Sequence, residues 1–106
     1  GHKPGAYPAA VHVWNPDPHR AEGSTVPTRL GEVSADFHRY GVKVEPEAIT
    51  MYFDAVEVWK TKTPPEHKRP LMLLVNLALG SGWPIDKTPN PSSMYVDYVR
   101  AYAKQP

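Results

Sequence analysis

The sequence predicts an all-β fold in the form of a two-layer sandwich, and three observations support this prediction. Six short segments either alternate polar and apolar side chains or are rich in β-branched and aromatic residues. Most of the 13 prolines lie between these segments, where the missing N–H donor of proline suits loops and argues against long helices. No segment of useful length has the period of an amphipathic helix.

The predicted strands are, in chain order, 9–14, 37–44, 49–53, 56–59, 71–79 and 94–102. The polar segment 15–29 is predicted to be a loop. Asp54-Ala55 separates two β-rich runs and predicts a hairpin. Alanine at positive φ costs about 1 kcal/mol, so we expect this turn to be of another type or slightly strained.

The segment 71–79 is apolar except for Asn76, so both faces of a strand here must be covered. Six strands that include a central strand of this kind leave long sheet edges without hydrogen-bonding partners. We therefore expect a missing half of the domain, another chain or a second copy of this chain to complete the sheets. On this basis the chain alone is not expected to be a stable monomer.

Length and composition restrict the function classes. A chain of 106 residues is long enough for one domain with a modest core. The net charge is only +1, with acids and bases interspersed, which gives no basis for a nucleic-acid or membrane partner. The chain has no cysteine, which excludes disulfides and thiolate metal sites, and its histidines have no metal-ligand spacing.

Three stretches carry a family resemblance: FHRYGVKVEPEAITMYFDAVEVW from Phe37, LMLLVNLALGSGW from Leu71 and MYVDYVRAY from Met94. Together they resemble the C-terminal half of a laminarinase/lichenase-like glycoside hydrolase of family 16. The resemblance implies a concanavalin-A-like β-jelly-roll sandwich, with residues 1–106 forming about half of it. Gly1-His2-Lys3-Pro4 resembles the loop that follows the catalytic E-x-D-x-x-E motif of the family, so the chain is expected to begin just after that motif.

The resemblance implies an endo-acting, retaining glycosidase that cleaves a β-1,3-glucan or a mixed β-1,3/1,4-glucan. Retaining cleavage needs two carboxyl groups about 5–5.5 Å apart. The sequence contains no E-x-D-x-x-E motif, and its nearest acid pairs, Glu45/Glu47 and Asp54/Glu57, are expected to be solvated turn charges. We therefore predict no catalytic residue in this chain, which on its own should be inactive.

Four residues are candidates for substrate binding. His12 and Trp14 share one face of a predicted strand, and the resemblance places them in the sugar-binding cleft; the alternative is a buried histidine and a core tryptophan. Asn76 lies in Asn76-Leu77-Ala78-Leu79-Gly80, which resembles the N-L-A-x-G strand of the family cleft; alternatively its amide bonds to a neighbouring backbone. Trp83 follows in a loop that resembles G-G-x-W-P-G, as a stacking platform or as a cover for the end of the sandwich.

Asp97 corresponds to an aspartate that binds one structural Ca²⁺ in many family members; the alternative is an ordinary surface aspartate. Ca²⁺ needs six to eight oxygen ligands, most of which would lie in the missing half. Two other functions stay open: a non-catalytic carbohydrate-binding or lectin-like sandwich, and a purely structural β-domain. The resemblance implies a polysaccharide substrate and a secreted or periplasmic parent protein, although no signal peptide is visible in the sequence.

Overall fold

A computed structural model describes residues 5–14, 18–28, 33–80 and 82–106. It divides into two units, the described residues up to Leu71 and the segment from Met72 to Pro106. Within the described residues, all the strands and the single 3-10 helix belong to the first unit. No helix in this part of the chain is long and apolar enough to cross a membrane. The predicted all-β class is confirmed.

The first sheet is an antiparallel hairpin of β1, Ala6–Val13, and β2, Arg20–Pro27. Its register runs from Ala6 opposite Pro27 to Val13 opposite Arg20. From Pro8 to Val13 the side chains of β1 alternate between solvent and the core, because successive residues of a strand point to opposite faces. The buried members are Ala9, Val11 and Val13.

The existence of β2 contradicts the predicted loop over 15–29. Of its eight residues only Val26 is buried, so β2 has none of the alternation from which strands are predicted. Its backbone pairing with β1 holds it instead. Gly23 permits the close approach of the two strands, since a Cβ there would lie 2.7 Å from the carbonyl oxygen of Ala9 and 2.8 Å from Cβ of Ala10.

The second sheet contains three antiparallel strands in the order β3-β4-β5. β3 spans Tyr40–Val44, β4 spans Ala48–Phe53 and β5 spans Val56–Lys62. A β-bulge interrupts the β4–β5 register between Met51 and Tyr52. These strands confirm the three that the sequence predicted between residues 37 and 59.

The β4–β5 hairpin closes through Asp54 and Ala55, with φ values of 48° and 68°. Positive φ at both central residues is the requirement of a type I′ turn, so the hairpin is confirmed and its alanine is in the strained conformation. The Asp54 carboxylate accepts hydrogen bonds from the backbone N–H of Arg39 at 2.9 Å and from Nδ1 of His38 at 2.8 Å. The turn is therefore tied to the residues that enter β3.

Aromatic contacts join the two sheets in the first unit. The ring of Tyr7, on β1, lies 5.2 Å from the ring of Tyr40 and 5.4 Å from that of Phe53. Phe53 also contacts the ring of His38, whose side chain is only 9% exposed. Phe53 and Ile49 are buried, so a small core lies around them, consistent with a β-sandwich.

The second unit differs from its prediction. Residues 72–79 and 94–102 form no strand, and their apolar side chains are exposed, so the strands predicted there are wrong for the chain as described. A strand that is apolar on both faces requires a hydrogen-bonding neighbour and a cover over each face. The described residues supply neither.

Replacement of Ala55 by glycine should stabilise the chain. The left-handed conformation costs alanine roughly 1–2 kcal/mol, and the greater freedom of glycine in the unfolded chain offsets part of the gain. We expect the free energy of unfolding to rise by roughly 0.5–1 kcal/mol in urea denaturation. Ala21→Gly, at an exposed position of β2, is the matched control and should lower it. A decrease for both variants would contradict the turn geometry.

The Asp54 contacts should make stability depend on acid pH. The backbone N–H of Arg39, and then the side chain of His38, hold the pKa of Asp54 below its ordinary value. A depressed pKa contributes stability above the unfolded value of about 3.9, which is lost as pH falls through the folded pKa.

Melting temperatures of wild type and Asp54→Asn should therefore differ at pH 6 and converge as pH falls below 4. Glu57→Gln, which removes an exposed carboxylate of the same hairpin, is the control and should show no such convergence. A constant difference for Asp54→Asn across this range would contradict the assignment.

Candidate functional site

The outer face of the β1–β2 hairpin carries the first two candidate residues. His12 and Trp14 are exposed, while their neighbours Val11 and Val13 are buried. Trp14 is 72% exposed, so the alternative of a core tryptophan is wrong. The predicted sharing of one strand face by His12 and Trp14 is confirmed.

A third ring joins them from the other strand. The last registered pair of the hairpin is Val13 opposite Arg20, so Trp14 and His19 occupy the next cross-strand position, where side chains of opposite residues meet. Their rings lie 4.0 Å apart between centroids with planes inclined by 4°. His19 therefore stacks face to face on the indole of Trp14.

The two imidazoles lie edge to edge in nearly one plane. Nδ1 of His12 and Nε2 of His19 form a hydrogen bond of 2.9 Å, the ring planes are inclined by 4°, and the centroids are 5.1 Å apart. This separation is close to one N···N distance plus two ring radii, which requires an edge-to-edge arrangement. The indole of Trp14, inclined by only 7° to His12, lies over this pair. Its other face is open to solvent.

The 3-10 helix η1, Pro65–Lys68, contacts the hairpin next to these rings. Nε2 of His67 donates a hydrogen bond of 2.8 Å to the carbonyl oxygen of His12. A second link joins Nη2 of Arg20 to Oε1 of Glu66 at 2.6 Å. Both strands of the hairpin are therefore linked to the same helical turn next to the rings.

His19 was missed by the sequence analysis because it lies inside the segment predicted as a loop. A signal for His19 exists, but it lies in the pairing of the strands and not in the neighbouring sequence. Once β1 pairs with the segment after Pro18, the register places residue 19 opposite residue 14. Neither the composition nor the spacing of the sequence alone gives this register.

Asn76 and Trp83 lie in the second unit and are described within it. Asn76 is exposed in a segment without regular secondary structure, as is its neighbour Leu77, so its amide is not buried. Trp83 is 57% exposed, and its backbone N–H donates a hydrogen bond of 2.9 Å to the carbonyl oxygen of Gly80 in a tight turn. The positive φ of Gly80 and Gly82 explains why the turn uses glycine at these two positions. Ser81 lies outside the described residues.

The acidic residues near the turns have structural partners. The Asp54 carboxylate is engaged by Arg39 and His38, and Glu45 pairs with Nζ of Lys43 at 3.0 Å. This hydrogen bond with Glu45 raises the pKa of Lys43. Both carboxylates therefore take part in local structural contacts.

Asp97 is exposed in the second unit. Among the described residues no group of three or more histidine and acidic side chains is placed to hold a metal ion. Asp97 by itself does not fit the six to eight oxygen ligands of Ca²⁺. The segment Gly1–Pro4, which resembles the loop after the catalytic motif, lies outside the described residues.

Comparison with known proteins points to glycoside hydrolases. The chain is similar to two proteins of Rhizobium meliloti (strain 1021), endo-1,3-1,4-beta-glycanase EglC and endo-1,3-1,4-beta-glycanase ExsH. The identities are 40% and 39% over 72 residues, which cover 66% of this chain and 16% of each relative. Glucan endo-1,3-beta-glucosidase A1 of Niallia circulans is 29% identical over 123 residues, covering 99% of this chain and 18% of that protein.

The chain thus spans less than a fifth of the length of each of these relatives. No protein-family model matches the sequence, and no solved structure matches it. The similarities relate this chain to β-glucan-degrading glycoside hydrolases at the level of sequence.

Proposed function

We propose that this chain is part of an endo-acting, retaining β-glycan hydrolase of the family 16 type and contributes to its substrate cleft. The observation that carries the proposal is the 40% identity to an endo-1,3-1,4-β-glycanase over 66% of the chain. The substrate class follows the printed activities of the relatives: a β-1,3-glucan or a mixed β-1,3/1,4-glucan. Residues 1–106 then form the C-terminal half of one jelly-roll domain.

The geometry around Trp14 supports a sugar-binding role. An indole with one face supported by imidazoles and the other open is suited to stack on the C–H face of a pyranose. A platform that is already held in place loses little side-chain entropy when the ligand binds. Nε2 of His12 has no partner among the described residues and lies beside this platform, where it can exchange a hydrogen bond with a sugar hydroxyl.

Asn76 and Trp83 complete the proposed set of binding residues. The exposed amide of Asn76 offers two donors and an acceptor for sugar hydroxyls. Trp83 presents a second exposed indole. Its turn contains glycines, and the following Pro84 restricts the backbone. In this proposal each is a binding residue of the second unit.

Retaining cleavage needs a pair of carboxyl groups, and in this proposal the chain does not supply that pair. The chain has no E-x-D-x-x-E motif, and the acids at its turns are engaged in structural contacts. The second candidate function is therefore a non-catalytic, lectin-like carbohydrate-binding sandwich. The open face of Trp14 favours glycan binding in either case.

The proposed partners follow from the exposed apolar segments of the second unit. We propose that the other half of the domain or a second copy of the chain covers the exposed apolar side chains of residues 71–79 and 94–102. A polymeric substrate cannot diffuse through a membrane, so we propose a secreted or periplasmic location. A structural Ca²⁺ at Asp97 stays a prediction, with its remaining ligands supplied from outside the described residues.

The purified chain should release no reducing sugar from laminarin or lichenan. Without a nucleophile and an acid, no glycosyl-enzyme intermediate can form. A reducing-end assay at high protein concentration tests this, with a complete family 16 glucanase as the positive control. Hydrolysis that co-purifies with the chain through successive columns would contradict the proposal and place a catalytic pair within these residues.

Replacement of Trp14 by alanine should weaken binding of laminarin or lichenan. The loss of one stacking platform is expected to cost roughly 0.5–1.5 kcal/mol, measured by affinity electrophoresis or isothermal titration calorimetry. Trp14→Tyr should retain most of the affinity, and Phe37→Ala removes an equally exposed aromatic ring as a control. Equal loss in Trp14→Ala and Phe37→Ala would contradict a specific platform.

A further inference from the structure

We infer that His19 is a positioning residue that holds Trp14 in its binding orientation through a proton-sensitive pair with His12. The inference rests on the proposed role of Trp14 as the glycan platform. It goes further in assigning a function to His19 and in predicting how acid controls the site. Three observations carry it: the stacking of His19 on Trp14, the N···N hydrogen bond, and the common plane of the two imidazoles.

His19 determines where the indole lies. Trp14 follows the last registered residue of β1 and is 72% exposed. Its side chain is therefore not held in place by burial within the sheet. The described contacts of its ring are with His19 at 4.0 Å and His12 at 5.3 Å. Because His19 has the closer, face-to-face contact, its removal leaves the indole free to adopt other rotamers.

His12 in turn holds His19 in the plane that Trp14 requires. The hydrogen bond of 2.9 Å joins the two ring edges, and such a bond needs one nitrogen with a proton and one without. His12 itself is anchored through its backbone, since its carbonyl oxygen accepts from His67. The order of support therefore runs from η1 through His12 and His19 to Trp14.

Protonation acts on this arrangement in two steps. One added proton makes a single imidazolium, which can still donate across the N···N contact and which lies favourably against the indole face. A second proton leaves both nitrogens with N–H groups, so the hydrogen bond is lost and two positive rings face each other. Protonation of both rings therefore releases the pair and with it Trp14.

Five charged or titratable side chains lie on the neighbouring strand and helix. They are Arg20, Glu22, Glu66, His67 and Lys68. Arg20 pairs with Glu66, and Glu22 accepts a hydrogen bond from Oγ1 of Thr61. Among the described residues none of these side chains bonds to the ring of His12 or His19.

The test compares wild type with His19→Gln, His19→Leu and His67→Gln. Binding of laminarin is measured by affinity electrophoresis from pH 7.5 to pH 4.5. Wild-type affinity should fall toward the acid end. His19→Gln retains a planar amide that can bond to His12 but lacks the aromatic ring that stacks on Trp14, so it should bind more weakly than wild type at pH 7.5 and lose the acid response.

His19→Leu should bind roughly two- to tenfold more weakly at pH 7.5, the effect of losing one aromatic stacking contact. His67→Gln keeps a donor for the His12 carbonyl and should retain the wild-type acid response. An unchanged pH profile in His19→Gln, or wild-type affinity of His19→Leu at pH 7.5, overturns the inference. Far-UV circular dichroism of each variant verifies that the strands have formed.

A second readout separates this inference from the proposed function. In the variant Trp59→Phe/Trp83→Phe, Trp14 is the single tryptophan, and its fluorescence is measured without a glycan. Its emission should change over the same acid range, and the change should vanish when His19→Gln is added. If wild type binds no laminarin but this fluorescence response is present, the proposed function fails and the coupling of His19 to Trp14 stands. If laminarin binds and the fluorescence response is absent, the inference fails alone.

Discussion

The pairing of β1 with β2 is the constraint on which the rest of the first unit depends. Its register places Val13 opposite Arg20, and the alternation of a strand then determines both faces. Val11 and Val13 enter the core, while His12 and Trp14 face solvent. The same register extended by one position brings together the indole and the imidazole of residue 19, so the core and the candidate site arise from a single strand pairing.

Polar contacts on the core side keep this hairpin in place with few buried apolar side chains. Arg20 is joined to Glu66 of η1, and Glu22 accepts from Thr61 of β5. Exposed contacts of this kind contribute little free energy individually. Their effect here is geometric, because they link β2 to two neighbouring elements at the end of the hairpin where Trp14 lies. A binding surface needs this fixed geometry more than it needs additional stability.

The two units illustrate the difference between local and non-local requirements of β-structure. The β4–β5 hairpin contains its own partner and its own turn, and Asp54 anchors that turn although Ala55 is strained there. Residues 72–79 are more apolar than any strand of the first unit, yet they form no strand. Hydrophobicity favours burial, but a strand also needs a neighbour with free backbone groups, and the described residues provide none.

The sequence by itself determined the elements whose information is local. The strands between residues 40 and 62, the Asp54-Ala55 turn and the shared face of His12 and Trp14 all follow from periodicity and turn chemistry. Its resemblance to glucan-degrading enzymes agrees with the similarities to known proteins.

Only the tertiary structure decided what depends on residues distant along the chain or on a partner strand. β2 has almost no apolar alternation and exists because β1 pairs with it, which is also why His19 could not be recognised beforehand. The opposite error occurred at residues 71–79 and 94–102, where a strong apolar pattern predicted strands that have no partner among the described residues. In both cases the deciding quantity is backbone pairing across the sheet, which a one-dimensional pattern of side chains does not contain.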